Sequence, residues 1–324
     1  MSMKHFFIIN PVAGKGKAVS IIKPQIEAYA KTRDLDYVIY VTSAKGEAIG
    51  YVKKMAAEAG GENVRFYACG GDGTLYEVVN GAVGFPNAQV GVIPLGSGND
   101  FVRLFGTKEQ FVNVQAQIEG TPVLLDIIRC GGQYAINQCS MGLDAEVCAK
   151  QAYFNKMPLL GGEASYYAAL LYCFLRKMGS EFTITIDGSA PYTEKVFFAF
   201  AGNSRWYGGG FMAAPIAMPD DGLLDFVVVK KNMPRIKLLP LINKYKNGQH
   251  MDWDITKYTR GKKMHVQSEK PAAVNIDGET HYVHESTFEI IEKGITFVVP
   301  STASYFAEVA SGIISDKTPL PSNR

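Results

Sequence analysis

Short apolar runs of β-type composition alternate with helix-patterned stretches over the first third of the chain. The runs lie at 4–9, 37–41, 64–69 and 89–93. Between and after them come Ile21 to Arg33, Ala44 to Ala59, Thr74 to Gly81 and Asn99 to Phe105. In these stretches apolar positions recur three and four residues apart, as at Leu75, Val78 and Val79. Strand and helix in alternation predict a doubly wound parallel sheet, the α/β class. From Val123 onward the pattern turns β-rich, with candidate strands at 182–186, 195–201, 224–229, 288–291 and 296–299. These predict an antiparallel, sandwich-type β domain. It carries one helical insertion, Glu163 to Met178, rich in Tyr, Leu and Phe, and Ala303 to Ile314 again reads as helix.

Three turns at the ends of the early strands carry the candidate chemistry. Strand 64–68 runs into Cys69-Gly70-Gly71-Asp72-Gly73-Thr74-Leu75, and a helix pattern starts at once. Glycines there permit φ > 0 and remove Cβ atoms that would hold an anion away, while a helix N-terminus offers unpaired N–H groups. Asp72 is the one charge in this turn, suited to a water-mediated magnesium contact or to proton handling. A Gly-Asp-Gly turn that only reverses the chain is the plainer reading of that element alone. The first strand enters Asn10-Pro11-Val12-Ala13-Gly14-Lys15-Gly16-Lys17-Ala18, and the fourth enters Pro94-Leu95-Gly96-Ser97-Gly98-Asn99-Asp100-Phe101. Loops leaving the carboxyl ends of parallel strands share one edge, so the three can converge on one ligand. Neither a P-loop nor a protein-kinase Gly-rich loop is present.

The ordered set resembles the diacylglycerol kinase catalytic family, which includes bacterial lipid kinases and the sphingosine and ceramide kinases. Later landmarks fit the same pattern: Gly142-Leu143-Asp144-Ala145-Glu146-Val147, Pro219-Asp220-Asp221-Gly222-Leu223-Leu224-Asp225 and Asn275-Ile276-Asp277-Gly278-Glu279. The resemblance implies a first domain like those of NAD kinases and phosphofructokinases, made of residues 1–125 and 302–324. Residues 126–301 would form a β-rich lipid- or acceptor-binding domain. It further implies an ATP- and magnesium-dependent lipid kinase that phosphorylates a lipid hydroxyl, diacylglycerol to phosphatidic acid being the first expectation. A soluble-substrate kinase of the NAD-kinase type and a catalytically silent nucleotide-binding regulator stand as alternatives.

Residue by residue, the resemblance puts Asn10 and Gly14 near phosphates, Thr42 near the base or ribose, and Gly70, Gly71, Asp72, Gly73, Thr74 and Glu77 around the phosphates. Ser97 and Asn99 would cap the third loop. A glycine between two carboxylates allows a sharp turn that aims both at an acceptor hydroxyl, so Asp277 and Glu279 are candidate bases, or else solvated acids of an Asp-Gly hairpin. By resemblance Glu279 is the base and Asp277 orients it or the metal. Asp144, in a strand-like stretch, would orient the lipid head. Asp126 interrupts an apolar run and needs a partner, in a magnesium-linked water network or a salt bridge at the domain junction. The loop at 218–223 resembles a structural magnesium site, with Asp221 as side-chain ligand and Met218 and Leu223 as carbonyl ligands.

Composition adds constraints. Charge is nearly balanced, at +2 over 324 residues, which gives no case for nucleic acid. Five cysteines without a Cys-x-x-Cys pair argue against a disulfide framework or a zinc site. No apolar run reaches the ~18 residues of a membrane span, and a strand begins almost at Met1, so a cytoplasmic enzyme with peripheral contact at the inner membrane face is expected. The mixed basic and apolar segment 230–246 is the candidate for that contact, with Leu159, Leu160 and the helix near Tyr166 as candidate acyl lining. A homodimer remains open.

Overall fold

In the first strand, β1 (Lys4–Ile9), every residue after Lys4 is buried, as expected for a strand covered on both faces. The computed structural model describes residues 3–154, 157, 163–176, 179–233, 237 and 239–317. After β1 come α1 (Ala13–Gly16), α2 (Ala18–Ala30), β2 (Tyr37–Val41), α3 (Glu47–Glu58), β3 (Val64–Gly70), α4 (Asp72–Ala82) and β4 (Ala88–Pro94). A 3-10 turn (Phe101–Leu104), α5 (Lys108–Val112), α6 (Val114–Ile118) and β5 (Thr121–Cys130) complete this stretch.

The chain divides into two units: the first takes residues up to Ile127 together with Glu292–Ser315, and the second takes Ile128–Ile291 together with Asp316. In the first unit β2, β1, β3 and β4 lie side by side and parallel, so the turns after β1, β3 and β4 leave from one edge. Ala18, Ile22 and Ile26 of α2, spaced four apart, bury one helical face against Phe7, Ile9, Tyr67 and Ile93. Ile22 and Ile26 each contribute about 1.5–3 kcal/mol relative to exposure.

The second unit continues with β6 (Gln133–Ala135), β7 (Gln138–Gly142), α7 (Leu143–Phe154), α8 (Glu163–Arg176), β8 (Ser180–Ile186), β9 (Tyr192–Gly202), β10 (Trp206–Tyr207), β11 (Phe211–Met212), β12 (Leu224–Lys230), α9 (Leu239–Lys246), β13 (Thr256–Gly261), β14 (Lys263–Ile276) and β15 (Glu279–Val299). Its larger pairings are antiparallel. β7, β9, β8 and β14 close on one another, because β14 pairs first with β8 and then, past an irregularity between Gln267 and Ala272, with β7. Lys270-Pro271 lies inside that irregularity, where proline, lacking an N–H, costs no ladder hydrogen bond. Phe198, Phe200, Val227 and Val229 lead one core of this unit.

Three elements differ from expectation. Residues 288–291 and 296–299 are not two strands of the β domain but parts of one 21-residue strand, β15. Its end runs parallel to β4, with Thr296 opposite Gln89 and Phe297 opposite Val90, so the chain returns to the first unit at Glu292 rather than at 302. The helix expected over 99–105 is only a 3-10 turn, and the last helix, α10, is short (Tyr305–Ala310).

Candidate active site

Backbone hydrogen bonds tie the three glycine-bearing turns of the first unit together. Gly14 N–H donates to the Leu95 carbonyl (3.0 Å), and Leu95 and Gly96 N–H both donate to the Gly70 carbonyl (2.7 and 3.2 Å). Asn10 adds a side-chain link, its Nδ2 donating to Thr74 Oγ1 at 3.3 Å. Gly14 and Lys15 both take positive φ, 60° and 57°, which folds the first turn over tightly. A Cβ on Gly96 would lie 2.5 Å from the Cα of Gly71, so the second and third turns meet backbone to backbone and only glycine fits there. In contrast, nothing lies within 4 Å of where a Cβ on Gly73 would sit, at the open start of α4. The start of an 11-residue helix, with the positive end of its dipole, suits a phosphate.

Two carboxylates of this region do structural work. Asp72 Oδ2 accepts the N–H of Asn99 (2.8 Å) and Oδ1 that of Asp100 (3.0 Å), fastening the third turn to the second. Burial raises the Asp72 pKa, and those two N–H donors pull it back. Glu77 accepts from Gly46 N–H (2.8 Å) and Ala48 N–H (3.2 Å), capping the start of α3 rather than facing the phosphate turn. Asn99, at φ 51°, closes its own loop by bonding both the N–H and the carbonyl of Gly96. Ser97 is exposed at the apex, and Thr42 N–H bonds the Ile9 carbonyl at 3.0 Å. Sequence reasoning did not single out Gly96, whose signal was its place in the motif, nor Lys108, whose Nζ lies 3.4 Å from the Gly96 carbonyl.

In the second unit the turn from β14 to β15 carries Asp277, Gly278 and Glu279. Asp277 is an anchor: its carboxylate accepts from the N–H of Ile136 (2.7 Å), Asn137 (3.2 Å) and Gln138 (2.8 Å). With φ 48° at Asp277 and 99° at Gly278, the turn is held in one shape, and Gly278 N–H bonds Asn275 Oδ1 at 2.7 Å. Glu279 is half-buried at the first position of β15. Helix α7 is linked to the same turn, through Cys148 Sγ to the Gly278 carbonyl (3.5 Å) and Tyr282 to Glu146 (2.9 Å).

Asp144 corrects one expectation, since it lies in the first turn of α7 and not in a strand. Both its carboxylate oxygens are enclosed and make no well-formed hydrogen bond with the described residues, Ser140 and the Ala145 N–H being the weak donors at hand. Burial pushes its carboxyl up to about 6, with Ser140 and the Ala145 N–H pulling it back only in part. An acid raised this way destabilises the fold once ionised, so the penalty is present above pH 6 and relieved as pH falls through the folded pKa. Asp144→Asn should therefore raise stability at pH 8 by up to about 2–3 kcal/mol and change little at pH 4. Urea titrations at the two pH values check this, and equal changes at both would refute it.

Asp126 is 1 % exposed and accepts the backbone N–H of Lys293 at 2.7 Å, a partner within the first unit. In the 218–223 loop, Asp221 Oδ1 accepts from Leu223 N–H (3.0 Å) and Oδ2 pairs with Arg260. In the 230–246 segment, residues 234–236 and 238 lie outside the described residues, as do Leu159 and Leu160 and the side chain of Tyr166. Of the rest, Lys230 pairs with Glu194 at 3.1 Å, and the Tyr245 ring packs against Phe198, Phe211 and His250. No described helix is long and apolar enough to cross a membrane.

Comparisons with known proteins agree on a family. The diacylglycerol kinase catalytic domain matches residues 4–130, and the YegS C-terminal NAD kinase beta sandwich-like domain matches residues 137–299. A diacylglycerol kinase of Mycobacterium tuberculosis is 30% identical over 80% of this chain and 84% of its own. A diacylglycerol kinase of Staphylococcus aureus is 29% identical over 91% of both chains. Among solved structures, a Bacillus anthracis diacylglycerol kinase superposes with a TM-score of 0.65 at 21% identity, covering 91% of this chain and 96% of that one. An Archaeoglobus fulgidus NAD kinase in complex with ATP gives 0.51 at 14% identity, covering 96% and 98%. At such identities these two structures speak to the fold: an α/β unit and a β-sandwich-like unit.

Proposed function

This chain belongs to the diacylglycerol kinase family and is a kinase of that type, and from that premise we propose that it transfers the γ-phosphoryl of ATP to a lipid hydroxyl, that of diacylglycerol in the first instance. The observation that carries this reading is the convergence of three glycine-bearing turns around the open start of α4. Gly70, Gly71, Gly73 and Thr74 are the phosphate cradle, with Asn10, Gly14, Ser97 and Asn99 around it and Thr42 toward the nucleoside. Gly96→Ala should abolish nucleotide binding, because the added Cβ would sit 2.5 Å from the Gly71 Cα and force the turns apart. Calorimetry with ATP reads this directly. Unchanged affinity would remove the cradle assignment.

Magnesium bound with the nucleotide would neutralise charge on the phosphates as they are transferred. Asp72 and Glu77 already accept backbone N–H groups on both oxygens. Magnesium retains waters and readily takes phosphate oxygens, so phosphates and water are its ligands in this reading.

On the acceptor side, Glu279 takes the hydroxyl proton and Asp277 holds its turn. The enclosed oxygens of Asp144, near which the Ser140 hydroxyl and the Ala145 N–H are only weak donors, suit a hydroxyl of the lipid head. The deciding assay offers ATP and magnesium with diacylglycerol, phosphatidylglycerol, sphingosine, undecaprenol and NAD in parallel. Phosphatidic acid as the main product is expected; phosphorylation of NAD alone, or of nothing, would overturn the reading.

A further inference from the structure

The loop at 218–223, which by family resemblance would hold a structural magnesium ion, is instead surrounded by guanidinium groups. Arg260 lies on β13 directly opposite Asp225 of β12. Its guanidinium pairs with Asp221 Oδ2 by one Nη, reaches Asp316 Oδ2 by the other at 3.2 Å, and lies 3.6 Å from Asp225 Oδ2 by Nε. The Asp225 side chain is completely buried, and its other oxygen accepts the Tyr258 hydroxyl. A second guanidinium supports the loop from before: Arg205, fully buried, donates Nε–H to the Ala217 carbonyl at 3.0 Å, with Nη2 3.5 Å from Met218 Sδ.

A divalent ion does not fit this arrangement. Magnesium requires oxygen ligands at about 2.0–2.1 Å in near-ideal octahedral geometry. The Asp221 oxygen that would face it already meets a guanidinium nitrogen, and the other receives the Leu223 N–H. We infer that the Arg260 guanidinium is the resident cation of this loop, facing Asp221, Asp225 and Asp316 in place of a divalent metal. Arginine suits the task because its planar fork offers several N–H donors at once and stays charged at any working pH. One side chain thereby ties together the 218–223 loop, strands β12 and β13, and the segment carrying Asp316. The inference concerns stability without nucleotide, so it stands apart from the assigned phosphoryl transfer.

The test uses the full chain free of nucleotide and dialysed against EDTA, with metal content read by elemental analysis and Tm by calorimetry. No stoichiometric magnesium or calcium and equal Tm in EDTA and in millimolar magnesium are expected; a structural ion would add several degrees. Asp221→Asn should lower Tm equally under both conditions, and Arg260→Gln should lower it in EDTA. A wild-type magnesium shift that Asp221→Asn abolishes would overturn the inference, as would retained stoichiometric metal or an Arg260→Gln protein of unchanged Tm. Should Arg260→Gln not fold, the wild-type and Asp221→Asn measurements decide.

Discussion

Exchange of Glu279 for glutamine is expected to lower phosphoryl transfer to lipid by roughly 10²–10⁴-fold, the usual loss when a general base is removed. Nucleotide affinity should stay as it is. Glutamine keeps the size and the hydrogen-bonding reach of the side chain but cannot take a proton. The neighbouring carboxylate is a poor substitute, because Asp277 is committed to the N–H groups of Ile136, Asn137 and Gln138. The two acids of the turn therefore separate experimentally. Asp277→Asn places an amide where two carboxylate oxygens met backbone donors, so it should cost stability as well as rate, whereas Glu279→Gln should leave Tm unchanged. Turnover and ATP calorimetry on one Glu279→Gln preparation decide the matter. Loss of ATP affinity together with rate would place Glu279 with the nucleotide or the fold, and no change in either would pass the role of base to Asp144.

Asp72→Asn should show the opposite division, with ATP affinity and turnover falling together. An asparagine keeps one acceptor and presents its NH₂ to the second backbone N–H, so the bond to Asn99 or to Asp100 is lost and two donors face each other. The third turn then shifts relative to the second. A displacement of about 1 Å at a positioning element costs on the order of 10²-fold in rate. The sequence suggested magnesium or proton handling for Asp72, roles that would spare the loop. Its two backbone partners favour a positioning role instead. A folded Asp72→Asn protein that binds ATP normally yet is inactive would favour the earlier role, and one that binds and turns over normally would remove both.

The three phosphate-type turns were legible because each is contiguous in sequence and its chemistry is local: glycine for backbone shape, and a helix start directly behind a strand. The strand and helix periods likewise located β1 to β4 and α2 to α4. Where the structure added to the reading, the missing information was a distant partner. Glu77 looks like part of the phosphate turn until the start of α3, 29 to 31 residues earlier, claims its carboxylate. Asp144 sits in a segment whose composition allows strand or helix, and only packing selects α7 and encloses the acid.

What the sequence by itself determined was therefore the α/β-then-β order of elements, the glycine turns and the family they indicate, since these rest on neighbours within a few residues. Only the tertiary structure decided that β15 contributes its last residues to the parallel sheet beside β4, that Asp277 is an anchor and that Arg260 holds Asp221. Each of those outcomes is a pairing across 39 residues or more, between Arg260 and Asp221 at the near end and between Thr296 and Gln89 at the far end. A carboxylate's role depends on which donors reach its oxygens. No spacing along the chain specifies those donors until the strands that carry them are in register.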